Sequence, residues 1–108
     1  MISGMTPTKP MAPELASILR RLREALPELR HRYPLAGVAV FGSRARGTAA
    51  PDSDLDLLID WSGPASLLDY AGLRAELEER TGLQVELTNR GLLKPALAAT
   101  ILQEAVAV

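Results

Sequence analysis

The first third of the chain carries apolar residues at the spacing of an amphipathic helix. They fall at i, i+3, i+4, i+7 and i+11, at Leu15, Ile18, Leu19, Leu22 and Leu26. This stripe predicts a helix over residues 12–26. Pro27 is expected to end or kink that helix, because proline has no backbone N–H to donate, and a short turn over 28–32 is expected to follow. Residues 1–10 are expected to form a flexible lead-in.

Three shorter runs have the composition of β-strands. Residues 35–41 are apolar and partly β-branched, which predicts a buried strand. Residues 54–60 open on acidic side chains and continue as an apolar run, which predicts a second strand. The alternation of apolar and polar side chains over residues 83–88 predicts a third. Between the first two strands, a turn bracketed by glycines leaves room for one helical turn over residues 43–48.

Two further helices are predicted in the second half of the chain. Ser66 and Asp69 resemble a capping box at the start of a helix over residues 67–81. Pro95 suits the first turn of a last helix over residues 95–104. The apolar residues of that last helix expected to face inward are Leu97, Ile101 and Leu102. The order of elements predicts an α/β (α+β) fold with a small mixed sheet of three to four strands, backed by helices.

Composition narrows the classes of protein to consider. The chain has 108 residues, which fits a single domain over residues 11–108 and leaves no room for a second substrate domain. Twelve Lys and Arg against thirteen Asp and Glu give a formal net charge of −1, so no direct nucleic-acid binding is expected. The absence of cysteine excludes disulfides and thiolate metal sites. No apolar run is long enough to span a membrane, and the lead-in lacks the apolar core of a signal peptide, so a cytoplasmic protein without membrane association is expected.

Arginines cluster in and after the first predicted helix, at Arg20, Arg21, Arg23, Arg30 and Arg32. A solvated helix face is the favoured interpretation of this basic cluster. A contact with a partner protein or RNA is the alternative.

Three acidic residues are candidates for one metal site. Asp54 and Asp56 lie two residues apart on a predicted strand, so their side chains point to the same face. Two such carboxylates repel unless a cation or a shared proton lies between them, and Mg²⁺ suits them because it takes oxygen ligands and keeps positions for water and phosphate. Glu86, on the third strand, reaches the same point if that strand pairs with the second. The alternatives are a solvated acidic edge for the aspartates and an ordinary exposed side chain for Glu86.

The turn that precedes these acids has the features of a phosphate-binding turn. Gly42 lets the chain approach a ligand closely, and backbone N–H groups together with the Ser43 hydroxyl offer donors to phosphate oxygens. Arg44 and Arg46 are candidates to clamp those oxygens, with surface salt bridges as the alternative. Turn and acids together predict a site for a metal–nucleotide complex.

Gly42-Ser43, ten residues, then Asp54-Leu55-Asp56 resembles the signature of the polymerase-β-like nucleotidyltransferase superfamily. The run from Phe41 to Gly47 is similar to its minimal branch, the MNT antitoxins, and the resemblance covers about residues 12–108. It implies the polymerase-β-like nucleotidyltransferase fold and Mg²⁺-dependent transfer of a nucleoside monophosphate, usually from ATP. The acceptor that the resemblance implies is a tyrosine of a HEPN-type ribonuclease toxin. AMP on that tyrosine would neutralise the toxin.

The resemblance also implies roles for individual residues. Gly42 and Ser43 match the triphosphate-binding turn, and Asp54 and Asp56 match the two metal-binding acids of the family. The family's third acid is usually Asp, and the matching position here is Glu86, whose side chain is one methylene longer. Three carboxylates would serve two Mg²⁺ ions. A non-catalytic antitoxin that occludes the toxin and a small-molecule nucleotidyltransferase are the alternative functions. Because the chain has no acceptor domain, we expect another protein to present the acceptor.

Overall fold

The structure, a computed structural model, describes residues 13–108. The predicted lead-in over residues 1–10 lies outside the described residues. In chain order the elements are α1 (Pro13–Arg32), β1 (Leu35–Phe41), α2 (Ser43–Arg46), β2 (Leu55–Trp61), α3 (Leu67–Thr81), β3 (Val85–Asn89), a 3₁₀ turn (Arg90–Leu92), α4 (Pro95–Glu104) and β4 (Val106–Ala107). Among the helices of these residues, none combines the length and apolar content needed to cross a membrane.

The first helix confirms the predicted apolar stripe but not the predicted end. Pro27 lies inside α1, and the expected turn over residues 28–32 is helical. The stripe continues to Leu29, which is only 1% exposed. Burying a leucine side chain contributes about 2 kcal/mol, which offsets much of the cost of a proline within a helix. The local rule for proline therefore gives way to packing.

The four strands form one mixed sheet in the order β3-β2-β1-β4. β1 is antiparallel to both β2 and β4, and β3 is parallel to β2. The parallel pair needs a crossover connection, which α3 supplies. This confirms the predicted mixed sheet. The sequence pattern does not predict β4, because two residues are too few to show an alternation.

The core lies between one face of the sheet and the two long helices. Leu22 of α1, Leu57 of β2 and Leu77 of α3 are each 2% exposed or less. Successive side chains of a strand point to opposite faces, so the residues next to Leu57 on β2 face the other side. Asp56 is one of them, so its side chain lies on the face of the sheet that does not carry Leu57.

The last two helices occupy the predicted residues. The capping box at the start of α3 is present, with the Ser66 hydroxyl accepting from the Asp69 amide. The expected inward orientation of α4 is wrong for two leucines, since Leu97 and Leu102 are 56% and 44% exposed. Ile101 is partly buried. This helix therefore leaves much of its apolar surface open to solvent.

Candidate active site

The predicted phosphate-binding turn follows directly from the end of β1. Gly42 has a φ of 76°, in the left-handed region that favours glycine. A methyl group at this position would collide with the Asp56 carboxylate. Ser43, the first residue of α2, is partly buried. The turn and one of the candidate acids are therefore packed directly against each other.

The three candidate acids lie at the same end of β2 and β3. Asp56 and Glu86 are register partners on these parallel strands, so their side chains share a face. Asp54 directly precedes β2 and is exposed. Burial, followed by the negative charges of Glu86 and Asp54, raises the pKa of Asp56 above its usual value. The charges of Glu86 and Asp54 therefore both act on Asp56.

A cation would relieve the repulsion among these carboxylates. In the part of the chain that the structure describes, no three acidic or histidine side chains lie close enough together to form a ready-made metal site. The donor set nevertheless fits Mg²⁺ chemically, because all of its ligands are carboxylate oxygens. Burial first, and then the charges of Glu86 and Asp54, disfavour the ionised form of Asp56 and raise its pKa, and a cation bound there would favour the ionised form.

Arg44 has a structural place in the fold. Its side chain is 3% exposed and forms an ion pair with Glu14 of α1. The guanidinium also donates to the Ser53 carbonyl at 2.6 and 3.1 Å and to the Pro51 carbonyl at 3.3 Å. These contacts brace the loop that leads to Asp54. The alternative interpretation of Arg44, a salt bridge, is thus present, although the Arg44 side chain is buried, and its phosphate contact stays a prediction.

Arg46 remains beside the turn and is half exposed. Its Nη1 donates to the two carboxylate oxygens of Glu104 at 2.9 and 3.1 Å. Glu104 also accepts the backbone N–H of Gly42 at 3.1 Å. The alternative interpretation of Arg46, a salt bridge, is thus present, and its partner lies at the edge of the candidate site.

Comparison with known proteins decides the family. The model of the nucleotidyltransferase domain family matches residues 21–108. The chain belongs to this family. Protein adenylyltransferase MntA of Thermococcus cleftensis is 41% identical to this nucleotidyltransferase over 95 residues, which span 88% of this chain and 93% of that protein.

Solved structures show the same fold as this nucleotidyltransferase. A structure described as a minimal nucleotidyltransferase superposes with a TM-score of 0.73 at 41% identity, covering 87% of this chain and 95% of that one. A tri-AMPylated HEPN toxin of Shewanella oneidensis in complex with an MNT antitoxin gives a TM-score of 0.54 at 16% identity, with 87% of this chain and 67% of that chain covered. The first match confirms the polymerase-β-like fold implied by the sequence resemblance.

A cleft of about 320 Å³ opens beside the acids of this nucleotidyltransferase. Asp54 and Glu86 line one side, and Tyr70 and Arg74 of α3 line another. Arg74 Nε donates to the Val85 carbonyl at 2.9 Å, which ties α3 to the start of β3. Two carboxylates therefore face a space that is open to a second molecule.

Sequence reasoning missed Glu104, Tyr70 and Arg74 as residues near the site. Glu104 lies 62 residues from Gly42 along the chain, so no local spacing links them. Tyr70 and Arg74 lie on a helix whose pattern indicates only packing and solvent exposure. In the sequence, Glu104 shows only as an acidic residue at the end of the last predicted helix. Its position beside Gly42 follows from the pairing of β4 with β1.

Proposed function

We propose that this nucleotidyltransferase transfers AMP from ATP to a tyrosine hydroxyl of a cognate HEPN-type toxin and thereby neutralises it. The observation that supports this most strongly is the packing of the Gly42 turn against Asp56, with Glu86 beside it on the next strand. That arrangement brings phosphate donors and carboxylates to one place. The relatives named above indicate AMP as the group transferred and a HEPN toxin as the kind of partner.

The turn would hold the β- and γ-phosphates of ATP. Ser43 offers its hydroxyl and its backbone N–H at the start of α2, and the absence of a side chain at Gly42 lets the phosphates approach the backbone. Arg46 adds a positive charge beside the turn. Held in this way, the triphosphate would present its α-phosphorus to the carboxylates at the ends of β2 and β3.

The proposed reaction is an in-line displacement at the α-phosphorus. The tyrosine oxygen forms a bond to phosphorus, the bond to the bridging oxygen breaks, and pyrophosphate leaves with that electron pair. The tyrosine proton passes to a nearby carboxylate, for which Asp56 and Glu86 are the candidates. Mg²⁺, held by Asp54, Asp56 and Glu86, would neutralise charge on the phosphates and lower the pKa of the attacking hydroxyl.

The acceptor would enter through the cleft lined by Asp54 and Glu86. The cleft is open to solvent and offers about 320 Å³, which is within the range of small-molecule sites and admits a protruding side chain. We propose that a partner protein supplies the segment that carries the tyrosine, since the solved complex named above pairs an MNT antitoxin with an AMPylated HEPN toxin.

Mass spectrometry of the partner tests this proposal. The chain is co-expressed and purified with a candidate HEPN-type toxin, incubated with ATP and Mg²⁺, and the toxin's intact mass and modified peptide are measured. We expect AMP on a partner tyrosine with the wild type and with Glu79→Gln, an exposed acid of α3 that serves as the control. The double variant Asp54→Asn/Asp56→Asn should transfer none.

Occlusion without chemistry is the second candidate function. It is favoured by the absence of a ready-made group of three metal ligands in the described residues. If the wild type neutralises the toxin while the partner stays unmodified, occlusion replaces transfer. Modification of a small molecule, with no change to the partner, would instead favour the small-molecule class.

A further inference from the structure

The carboxylate of Glu104 connects the last helix to the candidate phosphate-binding turn. Its Oε1 accepts the Gly42 backbone N–H at 3.1 Å, and its two oxygens accept from Arg46 at 2.9 and 3.1 Å. The Glu104 side chain is 23% exposed, against 51% for Arg46. One largely buried carboxylate thus fixes a backbone amide and a guanidinium of the turn together.

The register of the sheet explains why Glu104 reaches this place. β4 is antiparallel to β1, with Val40 opposite Val106. Continuing that register by two residues puts position 104 opposite position 42. At that point the chain already belongs to α4, so the carboxylate of Glu104 accepts the Gly42 N–H where a strand carbonyl would otherwise do so.

Gly42 is therefore held from two sides. Asp56 fills the space that a side chain at Gly42 would need, and Glu104 binds its amide. Removing the Glu104 carboxylate would free the amide and the Arg46 guanidinium next to a candidate metal ligand. These freed groups would have to be ordered again when the ligand binds, and that entropy cost would weaken binding.

We propose that Glu104 is a positioning residue of the nucleotide site, which holds the Gly42 amide and Arg46 so that the turn presents one conformation to the phosphates. This inference rests on the proposed function. Glu104 acts through the turn and does not touch the nucleotide. Through Glu104 alone, the end of α4 thereby contacts the turn that would bind ATP.

Calorimetric titration with a non-hydrolysable ATP analogue and Mg²⁺ tests this role. We expect Glu104→Ala to bind the analogue on the order of 10-fold more weakly than the wild type. Glu104→Gln should lose less, because its amide oxygen still accepts the Gly42 N–H. Gln103→Ala, an exposed neighbour on α4, is the matched control and should bind like the wild type.

A double-mutant cycle separates positioning from a general effect on folding. Arg46→Ala and Glu104→Ala should together cost much less than the sum of their separate losses, because the two side chains act as one unit. Thermal melting of each variant reports whether it is folded. If Glu104→Ala is unfolded, the binding affinity of Glu104→Gln tests the positioning role instead.

Three results would overturn the inference. If the wild type binds the analogue and Glu104→Ala binds it equally, the positioning role fails while the proposed function stands. Tighter binding by Glu104→Ala would also overturn it, because the carboxylate would then be competing with phosphate for the same donors. A wild type that binds no analogue would overturn the proposed function and this inference together.

Discussion

Substitution of Glu86 is the sharpest single-residue test of the proposed chemistry. It is the register partner of Asp56 and lines the cleft through which an acceptor would enter. Glu86→Gln keeps the shape of the side chain but removes its charge, so transfer should fall on the order of 100-fold while nucleotide binding changes little. Glu86→Asp should retain activity. AMP transfer and calorimetric binding are measured in parallel, with Glu79→Gln as control, and full transfer by Glu86→Gln would rule out its catalytic role.

Removing the charge of Asp56 should stabilise the metal-free protein. Burial, then Glu86 and Asp54, raises the pKa of this carboxyl above the usual 3.8. A raised pKa in the folded state means that stability is lost as the pH rises through it. Asp56→Asn should therefore raise Tm at pH 7, and the gain should disappear in acid, where the carboxyl is protonated in both the folded and the unfolded protein. Scanning calorimetry in EDTA measures both, with exposed Asp52→Asn as control. A lower Tm for Asp56→Asn at pH 7 would contradict this electrostatic account.

Among the elements of the fold, α1 contains a proline that removes one of its backbone hydrogen bonds. Pro27 lies inside the helix, where it cannot donate a hydrogen bond to the Arg23 carbonyl, and its side chain is exposed. Pro27→Ala restores that donor and should increase the free energy of unfolding by about 1 to 3 kcal/mol. Urea denaturation measures the change. Pro95→Ala, at the first turn of α4 where proline is tolerated, should give no such gain, and an unchanged or lower stability for Pro27→Ala would show that the proline is needed.

Local sequence patterns predict some of these elements, whereas other features of the fold depend on tertiary packing. Amphipathic periodicity and caps predict α3 and α4 with the observed bounds, because those signals are local. The continuation of α1 past Pro27 depends on the burial of Leu29, which only the packed sheet provides. The contact between Glu104 and Gly42 depends on the pairing of β4 with β1. Local patterns therefore predict the elements and the acids, whereas tertiary pairing determines which residues surround them.

At the scale of the whole molecule, binding to the partner and chemistry on it should be separable. The acids lie at one end of β2 and β3, whereas Arg20, Arg21 and Arg23 of α1 and the α4 leucines are exposed elsewhere. Asp54→Asn/Asp56→Asn should therefore still co-purify with the toxin but fail to neutralise it. Co-expression with an affinity tag on the toxin, followed by a growth assay, measures both. Loss of the complex in this variant would show that the acids contribute to docking, and full neutralisation would favour occlusion.

We propose that the Gly42–Ser43 turn and the three acids form one metal-dependent nucleotide site. Titration of the wild type with a non-hydrolysable ATP analogue, in Mg²⁺ and again in EDTA, tests it most directly, with Asp54→Asn/Asp56→Asn and Asp52→Asn measured beside it. We predict saturable binding by the wild type and Asp52→Asn that requires Mg²⁺, and a loss of at least about 10-fold in the double variant. Equal affinity in the double variant, with and without Mg²⁺, would contradict the claim.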